Sequence, residues 1–434
     1  MLNRVDLRGV TDLRGALPRP VSTAEPPLAA VRAILDDVRA RGDDALREYT
    51  ERFDGVALDD LRVPPRELEQ ALGAIPDPVR EAITAAHDAI RDFHQAQLHP
   101  ERIYERDGVV VRERAVPVDR AGLYVPGGRG AYPSTVLMTA VPARVAGVPE
   151  LVLCVPPDRE RGAVAEVTLA AAALAGVEEV YAVGGAQAIA AMAYGTESIR
   201  PVDVIAGPGN VYVALAKQEV AGIVGVPSAF AGPSEIVVVA DDSTPVELAA
   251  IDLIVQAEHG PDGAAWLITW SEPAAEAIDR AVARLVEVAP RRAEIESTLR
   301  TGGHLALVDD AEQAIELANL IAPEHLQLMS SDPDRLVPLV RHAGAVFCGS
   351  FAPASVGDYL AGPSHVLPTA GTARFASALT VGDFLKQLHV ISLDRAAFEK
   401  VAPYVQTLAE IEGFDAHARS ILLRTTAPAG EGAP

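Results

Sequence analysis

Residues 150–195 read ELVLCVPPDRERGAVAEVTLAAAALAGVEEVYAVGGAQAIAAMAYG. Two short apolar runs in this stretch, Leu151–Val155 and Glu179–Val183, are rich in β-branched residues and too short for helices. Each is followed by an Ala-rich stretch of helical length, at 163–175 and 186–194. Strand–helix alternation of this kind predicts parallel strands joined by crossover helices.

The same texture extends to both sides. Leu123–Val125 and Asp203–Ala206 complete one series of strands, with helices at 134–146 and 210–221. A second series follows at Ile236–Ala240, Trp266–Thr269, Leu305–Val308, Leu326–Met329 and Ala345–Cys348. Helices near 245–258, 273–288, 311–320 and 333–341 separate these strands. The fold class expected is therefore α/β, with two doubly wound, Rossmann-like domains built on parallel sheets. Upstream, residues 1–22 form an arm, helical patterns cover 25–50 and 65–98, and 108–118 alternates like a half-buried strand. After about 378 the pattern turns helical, at 381–388 and 395–411. The expected partition is 1–22 as arm, 23–123 with 235–378 as the first α/β domain, 124–234 as the second, and 379–434 as a helical tail.

Composition narrows the function. The 434 residues supply roughly three domains' worth of chain at about 150 residues each. Hydrophobic residues make up 49%, so a real core is expected and global disorder is excluded. The net charge of −23 repels nucleic-acid backbones and anionic membranes alike. No apolar run is long enough to span a bilayer, and the first residues lack an apolar signal segment. A cytoplasmic protein with a small-molecule substrate is expected. Cys154 and Cys348 lie in strand-like runs and read as buried, inert thiols.

Six loops at strand ends are dense in Gly, Pro and polar residues: YVPGGRGAYPS (124–134), VGGAQA (183–188), AGPGN (206–210), AGPSE (231–235), APEHL (322–326) and GDYLAGPSHVLPT (357–369). Together they point to a ligand site. Neither GxGxxG nor GxxxxGK[ST] is present, although VGGAQA sits where a helix N-terminus meets a pyrophosphate. Gln256 and His259 share one helical face and offer an oxygen and a nitrogen to a metal, or act as a cap and a core group. Asp358 and His417 would complete a four-ligand N/O set, which spacing alone does not establish. Glu324-His325 puts a carboxylate beside the natural base at neutral pH. The plain alternative is a solvated Glu and a His bonded to backbone, and His365 has the same ambiguity.

Taken in order, GLYVPGGRGAYPSTVLM, GGAQAIAAMAYGT, AGPGNVYVALAK, AGPSE, QAEHGP, APEHL, GDYLAGPSHVLPT and EGFDAHARS resemble histidinol dehydrogenase, the last enzyme of histidine biosynthesis. The resemblance spans about 25–424. It implies that Gln256, His259, Asp358 and His417 hold one Zn²⁺ per subunit and that Glu324 and His325 are the acid–base pair. It implies NAD contacts at Tyr124, Gln187 and Asn210. Substrate contacts are implied at Ser234 and Glu412, together with His325 and the metal ligands Gln256, His259, Asp358 and His417. It also implies a homodimer whose C-terminal segment is swapped into the partner's site. The implied reaction is the four-electron oxidation of L-histidinol to L-histidine through bound L-histidinal, with zinc clamping the substrate. Ser364 stands where the family usually has Asn, VPSAF precedes AGPSE, and FAPASVGDY lacks a Pro-Glu often seen there. A related dehydrogenase acting on another small alcohol is the alternative. A two-domain binding protein without turnover has no use for an acid–base pair at a strand mouth.

Overall fold

Burial of continuous apolar runs organises the chain into two parallel sheets. The computed structural model describes residues 1–17, 26–127, 130–227, 234–258, 260 and 263–426. Its strands are β1 (Asn3–Asp6), β2 (Arg102–Arg106), β3 (Val109–Pro117), β4 (Arg120–Tyr124), β5 (Glu150–Cys154), β6 (Glu179–Tyr181), β7 (Val204–Ala206), β8 (Glu235–Ala240), β9 (Ala264–Thr269), β10 (Gly303–Leu307), β11 (His325–Met329), β12 (Ala345–Cys348) and β13 (Leu385–Leu393).

One compact unit holds Met1–Leu98 and Val118–Phe384. It contains a four-stranded sheet ordered β6-β5-β4-β7 and a six-stranded sheet ordered β1-β10-β9-β8-β11-β12, all pairs parallel. In the four-stranded sheet the connections diverge on either side of β4. In the six-stranded sheet they diverge between β8 and β11. Such divergence opens a crevice in which ligands bind. The N-terminal arm contributes β1, whose pairing with β10 the sequence did not signal. Helices Leu28–Arg41 and Asp43–Tyr49 share the core of the four-stranded sheet, packing Val31, Leu35, Val38 and Leu46 with Ile189 and Val213. Chain order alone groups them with the other sheet.

The second unit comprises His99–Pro117 and Leu385–Pro434. Its sheet, β13-β3-β2, is antiparallel. The strand foreseen at 108–118 is β3. The helix expected at 381–388 is not: a 3-10 turn covers Val381–Phe384, and Leu385–Leu393 is strand β13. Nine residues of β13 pair with β3, from Leu385 opposite Pro117 to Leu393 opposite Val109. That ladder overrides a weak local preference. Helices Arg395–Ile411 and Asp415–Thr426 complete the unit. Cys154 is buried and its thiol is pushed up to about 12 by burial, whereas Cys348 is only half-buried. No helix among the described residues is long and apolar enough to cross a membrane.

A charged clamp closes the N-terminal edge of the four-stranded sheet. Arg120, which opens β4, donates to Glu150 at 2.7 Å and to Glu179 at 2.8 Å, the residues that open β5 and β6. Hydrogen bonds from Arg120 hold Glu179 down at about 2. A carboxyl depressed on folding contributes stability above its unfolded value, about 4.3, and loses it as pH falls through the folded one. Arg120→Met is therefore expected to lower stability by about 3 kcal/mol at neutral pH. The gap to wild type should narrow as pH drops from about 4 towards 2. Denaturant unfolding across that range checks this; a gap that stays constant contradicts it.

Candidate functional site

Helix Ala311–Ile321 ends on Ala322, which sits in the left-handed region at φ +53° and turns the chain sharply into β11. Glu324 and His325 emerge from this turn, and both are buried. Glu324 Oε2 accepts the main-chain N–H of Glu235 at 3.0 Å. His325 Nδ1 lies 3.1 Å from the Glu235 carbonyl oxygen. A carbonyl only accepts, so Nδ1 carries a proton; Nε2, which faces Asp358, carries a second while the ring is charged and is the nitrogen that gives it up to become the base. Nε2 lies 3.3 Å from Asp358 Oδ1, and Nδ1 lies 3.5 Å from Glu324 Oε2. Burial pulls the imidazole down, but the carboxylates of Glu324 and Asp358 outweigh it and push His325 up to about 10. The Phe347 ring stacks on it at 5.8 Å.

These groups stand at the N-terminal ends of β8 and β11, not beyond the C-terminal ends. The reason is local. The leading N–H and C=O of Glu235 stand next to the turn and bind the carboxylate and imidazole directly.

Asp358 lies on the short helix Ala354–Tyr359. Its carbonyl accepts from His365 Nδ1 at 2.8 Å, and His365 Nε2 lies 3.1 Å from Thr135 Oγ1. Burial pulls the His365 pKa down, which keeps the ring neutral, with Nδ1 donating and Nε2 accepting. His365 thus fastens Asp358 to helix Pro133–Val145. Ser364 donates to the Met138 carbonyl at 3.0 Å, so the serine found here is fully used.

Gln256 lies in the last turn of helix Val246–Ala257 and is 1% exposed, yet neither its amide oxygen nor its nitrogen has a hydrogen-bond partner among the described residues. A dry amide in that state costs about 1–3 kcal/mol. A ligand that accepts its oxygen as a donor atom removes part of that cost. The carbonyls of Gln256 and Ser234 both border Gly263, so the chain segments carrying these residues converge. His259 lies outside the described residues. Among the described residues no group of three or more His, Cys, Asp or Glu is placed to hold a metal.

Tyr124, Gln187 and Asn210 gather at the C-terminal end of the four-stranded sheet. Tyr124 ends β4, is buried, and its hydroxyl accepts the Gly185 N–H at 3.1 Å. Gln187 lies in the first turn of helix Gly185–Tyr194, with its amide oxygen buried and without a hydrogen-bond partner among the described residues. Asn210 caps helix Val211–Val220, accepting from Tyr212 and Val213 at 3.0 and 3.2 Å. Gly207, at φ +118°, passes so close to the Tyr124 carbonyl that a Cβ would overlap it.

Glu412 and His417 belong to the second unit. Glu412 closes helix Arg395–Ile411, and His417 sits in the first turn of helix Asp415–Thr426; both are exposed. The His417 ring lies 5.2 Å from that of Phe414.

The sequence model for histidinol dehydrogenase matches residues 17–425 of this chain. The chain belongs to the histidinol dehydrogenase family. The histidinol dehydrogenase of Parasynechococcus marenigrum (strain WH8102) is 51% identical over 396 residues, covering 91% of this chain and 90% of that protein. That of Bacillus subtilis (strain 168) is 46% identical over 396 residues, covering 91% and 92%. The crystal structure of histidinol dehydrogenase from Elizabethkingia anophelis superposes with a TM-score of 0.92 at 34% identity, covering 98% of each chain. The two-sheet α/β architecture is thus that of a histidinol dehydrogenase, and the chain is an oxidoreductase of this family.

Two residues beside the candidates went unread in the sequence. Lys217 is completely buried on helix Val211–Val220, donates to the Gly207 carbonyl, and is pulled down to about 7 by burial. It anchors the loop next to Tyr124. The signal was available, because the chain has only three lysines and this one falls within an Ala-rich apolar helix. Glu235 is the second. It appeared only as the last letter of AGPSE, and nothing in the sequence tells a strand-opening Glu from a solvated one.

Proposed function

We propose that the chain oxidises L-histidinol to L-histidine through bound L-histidinal, using two NAD and one zinc ion per site. The observation that carries this reading is the buried Glu324–His325 pair, tied through Nε2 to Asp358. Dehydrogenation of an alcohol needs a base at the hydroxyl and a hydride acceptor. Oxidation of the resulting aldehyde needs a second base for water. Two adjacent bases with distinct neighbours meet that need.

His325 takes the hydroxyl proton through Nε2 as the carbinol carbon gives its hydride to NAD, yielding aldehyde and NADH. Glu324 then takes a proton from water as the water oxygen bonds to the aldehyde carbon, and His325 returns the proton it holds to the former carbonyl oxygen, giving the hydrate and freeing Nε2. His325 takes a hydrate proton as the same carbon gives a second hydride to another NAD, leaving the acid. Enclosure of the pair keeps the aldehyde from escaping between steps. The Gln256 amide oxygen and Asp358, with His259 and a partner subunit's copy of His417, would hold the zinc. When bound, zinc would offset the Asp358 charge beside His325 and orient the substrate's amine and imidazole nitrogens. The unpartnered Gln256 amide fits a donor awaiting such a ligand.

Tyr124, Gln187 and Asn210 bind NAD beside the N-termini of the two helices that follow β6 and β7. Gly207→Ala is expected to raise the KM for NAD by about tenfold, because strain of about 1–3 kcal/mol falls on the loop beside Tyr124. Initial rates at varied NAD check this; an unchanged KM contradicts it. A homodimer with Glu412 and His417 supplied in trans fits their exposure. It also fits the apolar residues Tyr404, Leu408, Ile411, Leu422 and Leu423 that their helices leave uncovered.

The test is NADH formed per L-histidinol by zinc-replete protein. The expected result is two. One NADH, or none with turnover of a different alcohol, selects a related dehydrogenase. Binding without turnover removes the catalytic reading.

A further inference from the structure

Glu235 opens β8, and its main chain touches both bases. Its N–H donates to Glu324 Oε2 at 3.0 Å and its carbonyl accepts from His325 Nδ1 at 3.1 Å. The side chain is more unusual. Oε2 of Glu235 is sealed from solvent and has no hydrogen-bond partner among the described residues. The groups that face this carboxyl are Glu324 and His325, at the start of β11, and the main-chain N–H of Ala370. An ionised carboxylate with a dry, unpartnered oxygen next to a second carboxylate is costly, whereas a protonated carboxyl in the same place is not.

We propose that Glu235 is a positioning residue for the Glu324–His325 pair and carries a proton in the resting enzyme, so that its buried carboxyl adds no negative charge beside the pair. This inference deepens the proposed activity and rests on it for the roles of Glu324 and His325. Burial first, and then the Glu324 charge, push Glu235 up to about 7. The proton is therefore held on the acid side of neutrality and released on the alkaline side. Its release places a further negative charge beside both bases.

The test compares full-length wild type, Glu235→Gln and Glu235→Asp. Difference infrared spectra between about pH 5.5 and about pH 8.5 report protonated carboxyls that ionise in that window. Asp54 and Asp252, both raised to about 6 by burial, titrate there too. The readout is therefore the band lost in wild type and missing from Glu235→Gln. An unchanged difference spectrum in Glu235→Gln overturns the proposal, and it does so in resting protein, whether or not histidinol is turned over. Should Glu235→Gln fail to fold, Glu235→Asp carries the test. Its shorter acid must shift the midpoint of the band's loss, and an unmoved midpoint overturns the proposal. In turnover, the ratio of the wild-type rate to that of Glu235→Gln should change by about threefold or more between about pH 6 and about pH 8.5. A purely structural role lowers the rate equally at every pH, and parallel profiles overturn the proposal.

Discussion

Glu324→Gln is expected to keep alcohol oxidation within a few fold of wild type while slowing aldehyde oxidation by about 10²–10⁴-fold. The glutamine retains an oxygen that accepts the Glu235 N–H, so the turn into β11 keeps its shape. What it loses is the capacity to take a proton from water. His325 remains tied to the Glu235 carbonyl and faces Asp358 as before, so the first hydride transfer has its base. The check is a pair of rates, the first NADH from L-histidinol in a single turnover and NADH from supplied L-histidinal. Equal loss in both half-reactions refutes the division of labour between the two residues.

The second large effect concerns the cation. Gln256→Leu is expected to weaken zinc binding by about 100-fold or more. The metal-free protein should meanwhile become more stable by about 1 kcal/mol, because the substitution removes a dry amide that has no partner among the described residues from a well-packed helix end. Opposite signs in the two measurements separate a ligand from a structural residue. A buried amide that merely packs would lose stability, or change nothing, and leave the metal content intact. His259→Asn is expected to remove bound zinc and turnover together. Metal analysis and denaturant unfolding of the same preparations read both variants.

Much of this architecture was legible in the sequence. Apolar runs such as LVLCV and IVVVA are short and continuous, as central parallel strands must be, and the Ala-rich stretches between them match crossover helices. What stayed illegible depends on partners distant in the chain. Asn3–Asp6 becomes a strand only because β10 offers an edge to it. Residues 381–388 read as helix, yet from Leu385 onward β3 supplies a ladder. Helices Leu28–Arg41 and Asp43–Tyr49 look alike to either sheet, and their place follows from contacts with Ile189 and Val213 that no local pattern encodes.

The candidate site divides in the same way. The strand-end loops that carry Tyr124, Gln187 and Asn210 could be read from the sequence, since this fold class puts ligands there, whereas the choice of these three residues came only from the family resemblance. The Glu324–His325 pair stands at the opposite end of its sheet, and its surroundings came from tertiary structure. Spacing did not foretell that one main-chain residue, Glu235, would hold both members, or that His365 would fasten Asp358 through its carbonyl.

The proposed function depends on remote side chains meeting at one cation beside this pair. X-ray data collected on either side of the zinc absorption edge, from crystals of zinc-replete protein, measure that meeting directly. The expected map has one anomalous peak per subunit, about 2.0–2.2 Å from an Asp358 carboxylate oxygen and the Gln256 amide oxygen. A peak bound elsewhere, or no peak in protein that turns over histidinol, contradicts the account.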